Sequence, residues 1–519
     1  MKFVSGQDRD QITLLPDSVE DYVDENNSVR VIEAYVNSLN LTAMGFNRSK
    51  PNNTGRHMYA SSDLLKLYIY GYINRIRSSR RLETETKRNL EAIWLLRKLS
   101  PDHKTIARFR QDNAAELKNV FKDFVKLCMK LDLYGKELET LDGSKFKAVN
   151  SKDRNFTVKK LQDKIARIDV KIEEYMNLLE KSDLEEETIA SEKSPEEITR
   201  IITEMSERKA QYQEYINDME QTGQTQKSLT DPDSRLMKAN GKMDVCYNVQ
   251  TVVDAKHKLI SEFEATNKAN DLNQITPMAE KAKEILETDK LAIVADAGYD
   301  SAQDIVSSME QGVEVHVAGT DFDICVAADK DQGTEVSSHK DGRCVYNADR
   351  NVVICPMGKI LYPGFYNKSQ KAGIYYNYKA CKQCTCKCAK DTRNYHRHRV
   401  PMAEPDFSKV YDDMNLHIKQ IRIKPDKEIV RRRKSIAEHP FGTIKRSMDA
   451  GYCLMKGLKN VNGEFSLIFL AYNLKRVINI LGCKKLIEGI AQHAYSQISS
   501  FFAVLRFLSR VSHCRSVFL

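Results

Sequence analysis

The stretch that most constrains the fold runs from Lys242 to Gly319. In it, two hydrophobic periods alternate. Val245, Tyr247, Val249, Thr251 and Val253 recur every second residue, as in a half-buried strand, and LISEFEAT returns after the turn DAKHK. QITPMAEKAKEILETDK then reads as an amphipathic helix, LAIVADAGYD as a short apolar strand ending at Asp296, SAQDIVSSMEQG as a helix and VEVHVAG as a strand. A further strand stands upstream in KELETLDGSKFKAVNS, followed by a turn at Asp142-Gly143 and a second extended segment. The order strand, strand, strand, helix, strand, helix, strand predicts an α/β fold with a mixed sheet flanked by helices. Ligands of such sheets gather at strand carboxyl ends. Asp142 and Asp296 both fall there, each after a short apolar run and with a glycine close behind.

Four other segments surround this core. Residues 1–135 read as an all-helical N-terminal domain for DNA-end binding or dimerisation. Residues 136–319 hold the first part of the α/β core. Within it, residues 156–222 carry apolar positions in steps of three and four on either side of a polar loop, the pattern of an antiparallel helical hairpin with coiled-coil packing. Ser194 and Pro195 suit the start of its second helix. Residues 320–428 are rich in Cys, Tyr and Lys, and residues 429–482 read as two helices that complete the core. No role is assigned to residues 483–519.

Composition narrows the function classes. The chain has 519 residues, 41% hydrophobic and 29% charged, which is the balance of a folded soluble protein of more than one domain. No secretory signal and no uncharged spanning stretch is evident, so a cytoplasmic protein that enters no membrane is expected. The net charge of +9 is modest but clustered, at Arg75–Arg88 and Arg431–Arg446. Clustered Arg and Lys point to a polyanion, because neutralising phosphates releases counterions; a solvated helix face is the bland alternative. Arg80 and Arg81 lie in the first cluster. Arg108 lies near the start of a helix after SPDHKT, in a pattern compatible with helix-turn-helix docking.

Seven of the 12 cysteines fall between Cys325 and Cys388. Cys381 and Cys384 form a Cys-x-x-Cys knuckle, and Cys355 and Cys388 would complete a tetrahedral zinc site. Cys386, His396 and His398 are rival ligands.

The third acid of interest is Glu438, in the basic helix RRRKSIAEHPFGTIKRS. Arg431, Lys434 and Glu438 share a helical face, and His439-Pro440 places Lys445 beyond a break. Asp142, Asp296 and Glu438 together would hold two divalent cations, Mg²⁺ or Mn²⁺, beside a phosphodiester. Each acid has a competitor: Asp153 for the first, Asp300, which also suits a helix cap, for the second, and Glu428 for the third. Asp244 and Asp254 read as structural.

The chain resembles the DDE transposases of bacterial insertion sequences. The resemblance rests on LDGSKFKA, DPDSRLMKANGKMDVCYNVQTVVD, ADAGYDS and EHPFGTIKR, with LLPDSVEDYV and PDHKTIARFR in the helical segment. It implies an RNase H-like catalytic fold with Asp142, Asp296 and Glu438 as the metal-binding triad. It also implies that Lys445 is the basic residue of a Tyr-Arg-Glu-Lys signature, which here has Arg431 and Lys434 where Tyr and Arg are expected. The activity implied is binding of terminal inverted repeats, metal-dependent cleavage and strand transfer into target DNA by a homodimer on double-stranded DNA. A metal-dependent nuclease without strand transfer, and a non-catalytic DNA-binding protein on the same fold, are the alternatives.

Overall fold

The computed structural model describes residues 18–47, 58–184, 194–239, 241–317, 322–327, 345–347, 352–355, 359–367, 372–377, 398–401, 418–423 and 426–495. The N-terminal segment is helical where described: α1 (Ser28–Ser38), α2 (Ser61–Ile73), α3 (Ser79–Arg88), α4 (Leu90–Leu95), α5 (His103–Asp112) and α6 (Glu116–Lys130). Side-chain caps start several of these helices. Asn27, Asn89 and Asp102 accept from main-chain N–H groups of the first turns of α1, α4 and α5. The basic run after α2 does not continue that helix. The chain turns at Asn74 and Arg75, the latter with a positive φ of 63°, before α3 begins.

The main sheet contains β1 (Leu138–Lys147), β4 (Arg235–Ala239), β5 (Lys242–Asp254), β6 (Ile260–Thr266), β7 (Leu291–Ala295) and β8 (Val313–Val317). Two short strands, β2 (Asn155–Phe156) and β3 (Lys227–Ser228), pair at the base of the helical hairpin. β5 is antiparallel to β1, and its free edge is shared by β4 and β6. β1, β7 and β8 are parallel, joined through α9 (Ile275–Leu286) and α10 (Ala302–Glu310). This is the mixed sheet flanked by helices that the alternating periods predict. One local expectation is corrected: Asp142-Gly143 is not a turn. β1 runs unbroken through both residues because β5 is long enough to pair with it from Glu139 to Lys147.

The hairpin comprises α7 (Val158–Leu184) and α8 (Pro195–Thr222), with Ser194 Oγ accepting from Glu197 N (3.2 Å) and Pro195 at the first helical position. At its base Phe156, Leu161, Ile216 and Met219 form a small core of their own.

After β8 come β9 (Phe322–Ala327), β10 (Val345–Asn347), β11 (Val352–Ile354), β12 (Ile360–Asn367), β13 (Ala372–Tyr376), β14 (His398–Pro401) and β15 (Ile418–Ile423), which form a second sheet. Among the described residues three helices close the fold, the last being Cys483–Tyr495, which adds Cys483, Leu486 and Ile490 to the core. Lys427–Gly442, here the Glu438 helix, lies across β1 and β7; Leu458–Leu481, the core helix, packs on α6, α2 and β6. Aromatic rings join these layers, with Phe146 of β1 against Phe465 (4.7 Å between centroids) and Phe263 of β6 against Phe469 (4.7 Å). A buried ion pair ties the core helix to the segment after α2. Arg77 Nη2 lies 2.7 Å from Glu464 Oε1 and its guanidinium stacks over Tyr452. Arg77, part of the basic cluster, is therefore spent inside the protein.

Candidate active site

Register brings the first two acids together. The parallel pairing of β1 with β7 ends at Thr140↔Val294. Asp142 and Asp296 each lie two residues further on, where the strands part. Asp142 Oδ1 accepts from its neighbour Gly143 N (3.0 Å). Asp296 caps the turn Ala297–Tyr299 through Gly298 N (2.8 Å). Burial, then the Asp296 charge, pushes the Asp142 carboxyl up to about 6; Arg433 and the Gly143 hydrogen bond pull the other way, and Asp271 adds to the push. Two carboxylates, each with acceptor capacity to spare, therefore repel one another at an open sheet end.

Glu438 stands apart from them. Its side chain is 64% exposed, and its ion-pair partner is Lys434, 4.0 Å away on the same helix. The inward positions of that helix are Ile436, Ala437, Pro440 and Phe441, while Arg433 extends its charge toward Asp142. Among the described residues, no group of three or more His, Cys, Asp or Glu side chains is arranged to hold a metal ion. Pro440 does not break the helix as expected. It is buried, the helix continues to Gly442, and a π-helical turn, Thr443–Ser447, follows. Lys445 sits in that turn. Its Nζ donates to Ser144 Oγ (2.6 Å) and to Lys145 O (3.0 Å) and lies 4.5 Å from the Phe146 ring centre. Burial lowers its pKa, against the pull of Cys246 and Asp142. Lys445 thus fastens β1 two and three residues beyond Asp142.

The other expected phosphate contacts, Arg431, Lys434, Arg80, Arg81 and Arg108, are all exposed. Of the rival acids, Asp153 lies in a short 3-10 turn and Glu428 in the exposed first turn of the Glu438 helix. Asp300 does not cap α10; Ser301 occupies that position. Asp244 pairs with Lys147 (3.6 Å). Of the candidate zinc ligands, Cys355 is half-buried and in no disulfide. Cys381, Cys384, Cys388 and the rivals Cys386 and His396 lie outside the described residues; His398 begins β14.

Two residues at the site escaped sequence reasoning. Arg433 is one of three consecutive arginines, and nothing in RRR tells which one faces the sheet. Asp271 follows β6 in a polar loop, with Lys145 Nζ 3.0 Å from its Oδ2. A faint signal for it existed: Asn248 and Gln250 are polar residues in the otherwise apolar run of β5, and both donate to Asp271.

Residues 17–112 match the family described as Transposase domain (DUF772), and residues 354–478 match the family described as Transposase DDE domain. The second match spans Glu438 and Lys445; neither spans Asp142 or Asp296. No curated protein matches. Among solved structures, the piggyBac transposase synaptic complex with hairpin DNA matches at 8% identity and a TM-score of 0.27, covering 92% of this chain and 82% of that one. At that score the likeness carries no structural argument. The two family matches, one over the N-terminal helices and one running from the cysteine-rich segment through the core helix, show that the chain has the domains of a DDE transposase.

Proposed function

We propose that this DNA transposase binds the terminal inverted repeats of its own element and cuts at their ends. It then joins the freed 3′ hydroxyls to target DNA, with Asp142, Asp296 and Glu438 as its catalytic acids. The observation that carries the reading is the Asp142–Asp296 pair, two mutually repelling carboxylates at the open end of parallel strands.

These residues fit a divalent cation. Carboxylate oxygens are hard donors, and Mg²⁺ needs only one or two of them alongside water and substrate phosphate oxygens. A cation held there would stabilise charge on the phosphate oxygens and activate the attacking hydroxyl. The protein's own part is to hold the two carboxylates at a common level, through the strand register and the Gly143 and Gly298 hydrogen bonds. Arg433 offers a positive charge on the same side for a DNA phosphate. Glu438 faces solvent in this structure, and bringing it to the pair is the step that DNA would drive. Lys445 keeps the β1 end rigid while this happens. Arg431, Lys434, Arg80, Arg81 and Arg108 supply backbone contacts.

Further parts of the proposal are that two protomers act on paired ends, that the protein works on bacterial DNA in the cytoplasm, and that Cys355, Cys381, Cys384 and Cys388 hold a structural zinc ion. Four thiolates are a donor set suited to zinc; near-stoichiometric zinc in purified protein is the expected result, and its absence rejects that site. The test of the function is a strand-transfer assay with pre-cut ends in Mg²⁺ or Mn²⁺. Joined products are expected from the wild type and none from Glu438→Gln, which should still bind ends. Nicking without joining would favour a nuclease; joining by Glu438→Gln at the normal rate would remove Glu438 from the site.

A further inference from the structure

Behind Asp142 the sheet holds a polar cluster that the chemistry above leaves unused. Side chains alternate along β1, so Asp142 and Ser144 point one way and Gly143 and Lys145 the other. In register with Gly143 and Lys145 on β5 stand Gln250 and Asn248. All three side chains meet Asp271, in the loop between β6 and α9. Asp271 Oδ1 accepts from Asn248 Nδ2 (2.7 Å) and Gln250 Nε2 (2.7 Å), and Lys145 Nζ lies 3.1 and 3.0 Å from its two oxygens. Gln250 Oε1 in turn accepts from the Tyr299 hydroxyl, in the turn after Asp296. Asn248 and Gln250 are fully buried; Lys145 and Asp271 are 15% and 19% exposed.

Glycine stands at both points where this cluster meets the acid-bearing backbone. A Cβ on Gly143 would lie 2.5 Å from both Asp271 Oδ1 and Gln250 Nε2. A Cβ on Gly298 would lie 2.9 Å from Asp296 Oδ1 and 3.7 Å from Asp271 Oδ2. Asp271 therefore reaches the segment after Asp142 and the segment after Asp296 at once. Burying a charged pair in a sheet is no aid to stability that apolar packing could not supply. Its distinctive effects are on geometry and local charge.

We propose that Asp271 is a positioning residue for the Asp142–Asp296 cation site, and that its pairing with Lys145 sets the charge the cation meets. Asp271 draws Gln250, Asn248 and Lys145 against the Gly143 backbone, which fixes the height of Asp142 relative to the Tyr299 turn. The pair is neutral as a unit, so cation affinity is left to Asp142 and Asp296. Losing Asp271 exposes the cation to an uncompensated Lys145, and losing Lys145 adds an uncompensated carboxylate. The inference rests on the reading of Asp142 and Asp296 as a cation site.

Calorimetric titration of the full chain with Mn²⁺, without DNA, tests it. Asp142→Asn should abolish the site's binding isotherm. Asp271→Asn should weaken it by about tenfold or more, and Lys145→Met should tighten it several-fold, as expected for single charges near a dication in a partly buried site. The double variant should return to within about threefold of wild type. A merely structural role would make both single variants weaker, and that result, or unchanged affinity in both, overturns the proposal. If Asp271→Asn does not fold by circular dichroism, Lys145→Met decides alone: tighter binding supports the proposal, while weaker or equal binding overturns it. Wild-type binding that is indifferent to Asp142→Asn would instead sink the cation-site reading, and this inference with it.

Discussion

β1 carries two acidic pairs three residues apart, and they have opposite characters. At its start, Glu139 stands directly across from Asp254 on β5, and both are fully buried. Asp254 accepts from three main-chain N–H groups, those of Gly135 (2.8 Å), Lys136 (3.1 Å) and Lys256 (2.8 Å). Burial, then the Asp254 charge, holds the Glu139 carboxyl well above the usual carboxylate range, against the hydrogen bond that Ser261 Oγ donates to it (2.9 Å). Further along, Asp142 and Asp296 are half-buried and take one main-chain hydrogen bond each. A raised pKa is common to Glu139 and Asp142, so it does not mark the site by itself. Unused acceptor capacity at an open strand end does.

The largest effect that would break this contrast concerns cleavage. Asp142→Asn and Asp296→Asn should each lower cleavage of element-end DNA by about a thousandfold or more, the scale of losing a metal's charge stabilisation. Glu139→Gln should cleave within a few-fold of wild type. Equal losses in a folded Glu139→Gln protein would make the two pairs one functional unit and end the distinction. Next in size is Asp254→Ala, which strands three N–H donors. At ~0.5–1.5 kcal/mol net for each of these part-buried hydrogen bonds, urea denaturation should show a loss of about 3 kcal/mol. A loss below about 1 kcal/mol would mean that these hydrogen bonds do not hold the start of β1.

The third prediction has the opposite sign. Asp142 has a folded pKa of about 6, above the ordinary aspartate value of 3.8. Its contribution to stability is therefore fully present below about pH 3.8 and is lost as pH rises through 6. Asp142→Asn removes that loss, so with EDTA present at pH 7 the variant should be more stable by up to about 3 kcal/mol, and near pH 3.5 it should match wild type. Urea curves across that range would sharpen the comparison, and a variant less stable at pH 7 would refute it. The smallest effect is on stability at Glu139. Because burial and Asp254 disfavour its charged form, Glu139→Gln, which keeps the shape and the Ser261 contact, should shift the urea-derived stability by less than about 1 kcal/mol; a larger loss would show that the carboxyl itself holds the start of β1.

How much of this was legible beforehand differs between the pairs. Asp142 and Asp296 each close a short apolar run, and that much is legible in the sequence because a buried strand leaves a local signature. Asp254 reads as structural from its place at a strand end, although its three hydrogen bonds come partly from a segment more than a hundred residues upstream. Glu139 was not singled out at all. One glutamate in LETLDG carries no trace of the aspartate that faces it across the sheet. Glu438 is legible as helical, but its direction is not, since a helix with arginines on several sides has no single polar face.

Local periodicity and turn chemistry thus determined the kinds of element, the helical hairpin with its Ser194-Pro195 start, and the two acids where parallel strands part. Those features depend on residues within one or two turns of one another. Packing between distant segments decided the rest: that β1 runs straight through Asp142-Gly143, that Arg433 rather than Glu438 faces Asp142, that Arg77 is buried against Glu464, and that Asp271 gathers Lys145, Asn248 and Gln250. The rotation of a helix about its axis and the resting place of a loop are set by partners far away in the chain, and no short stretch of sequence encodes them.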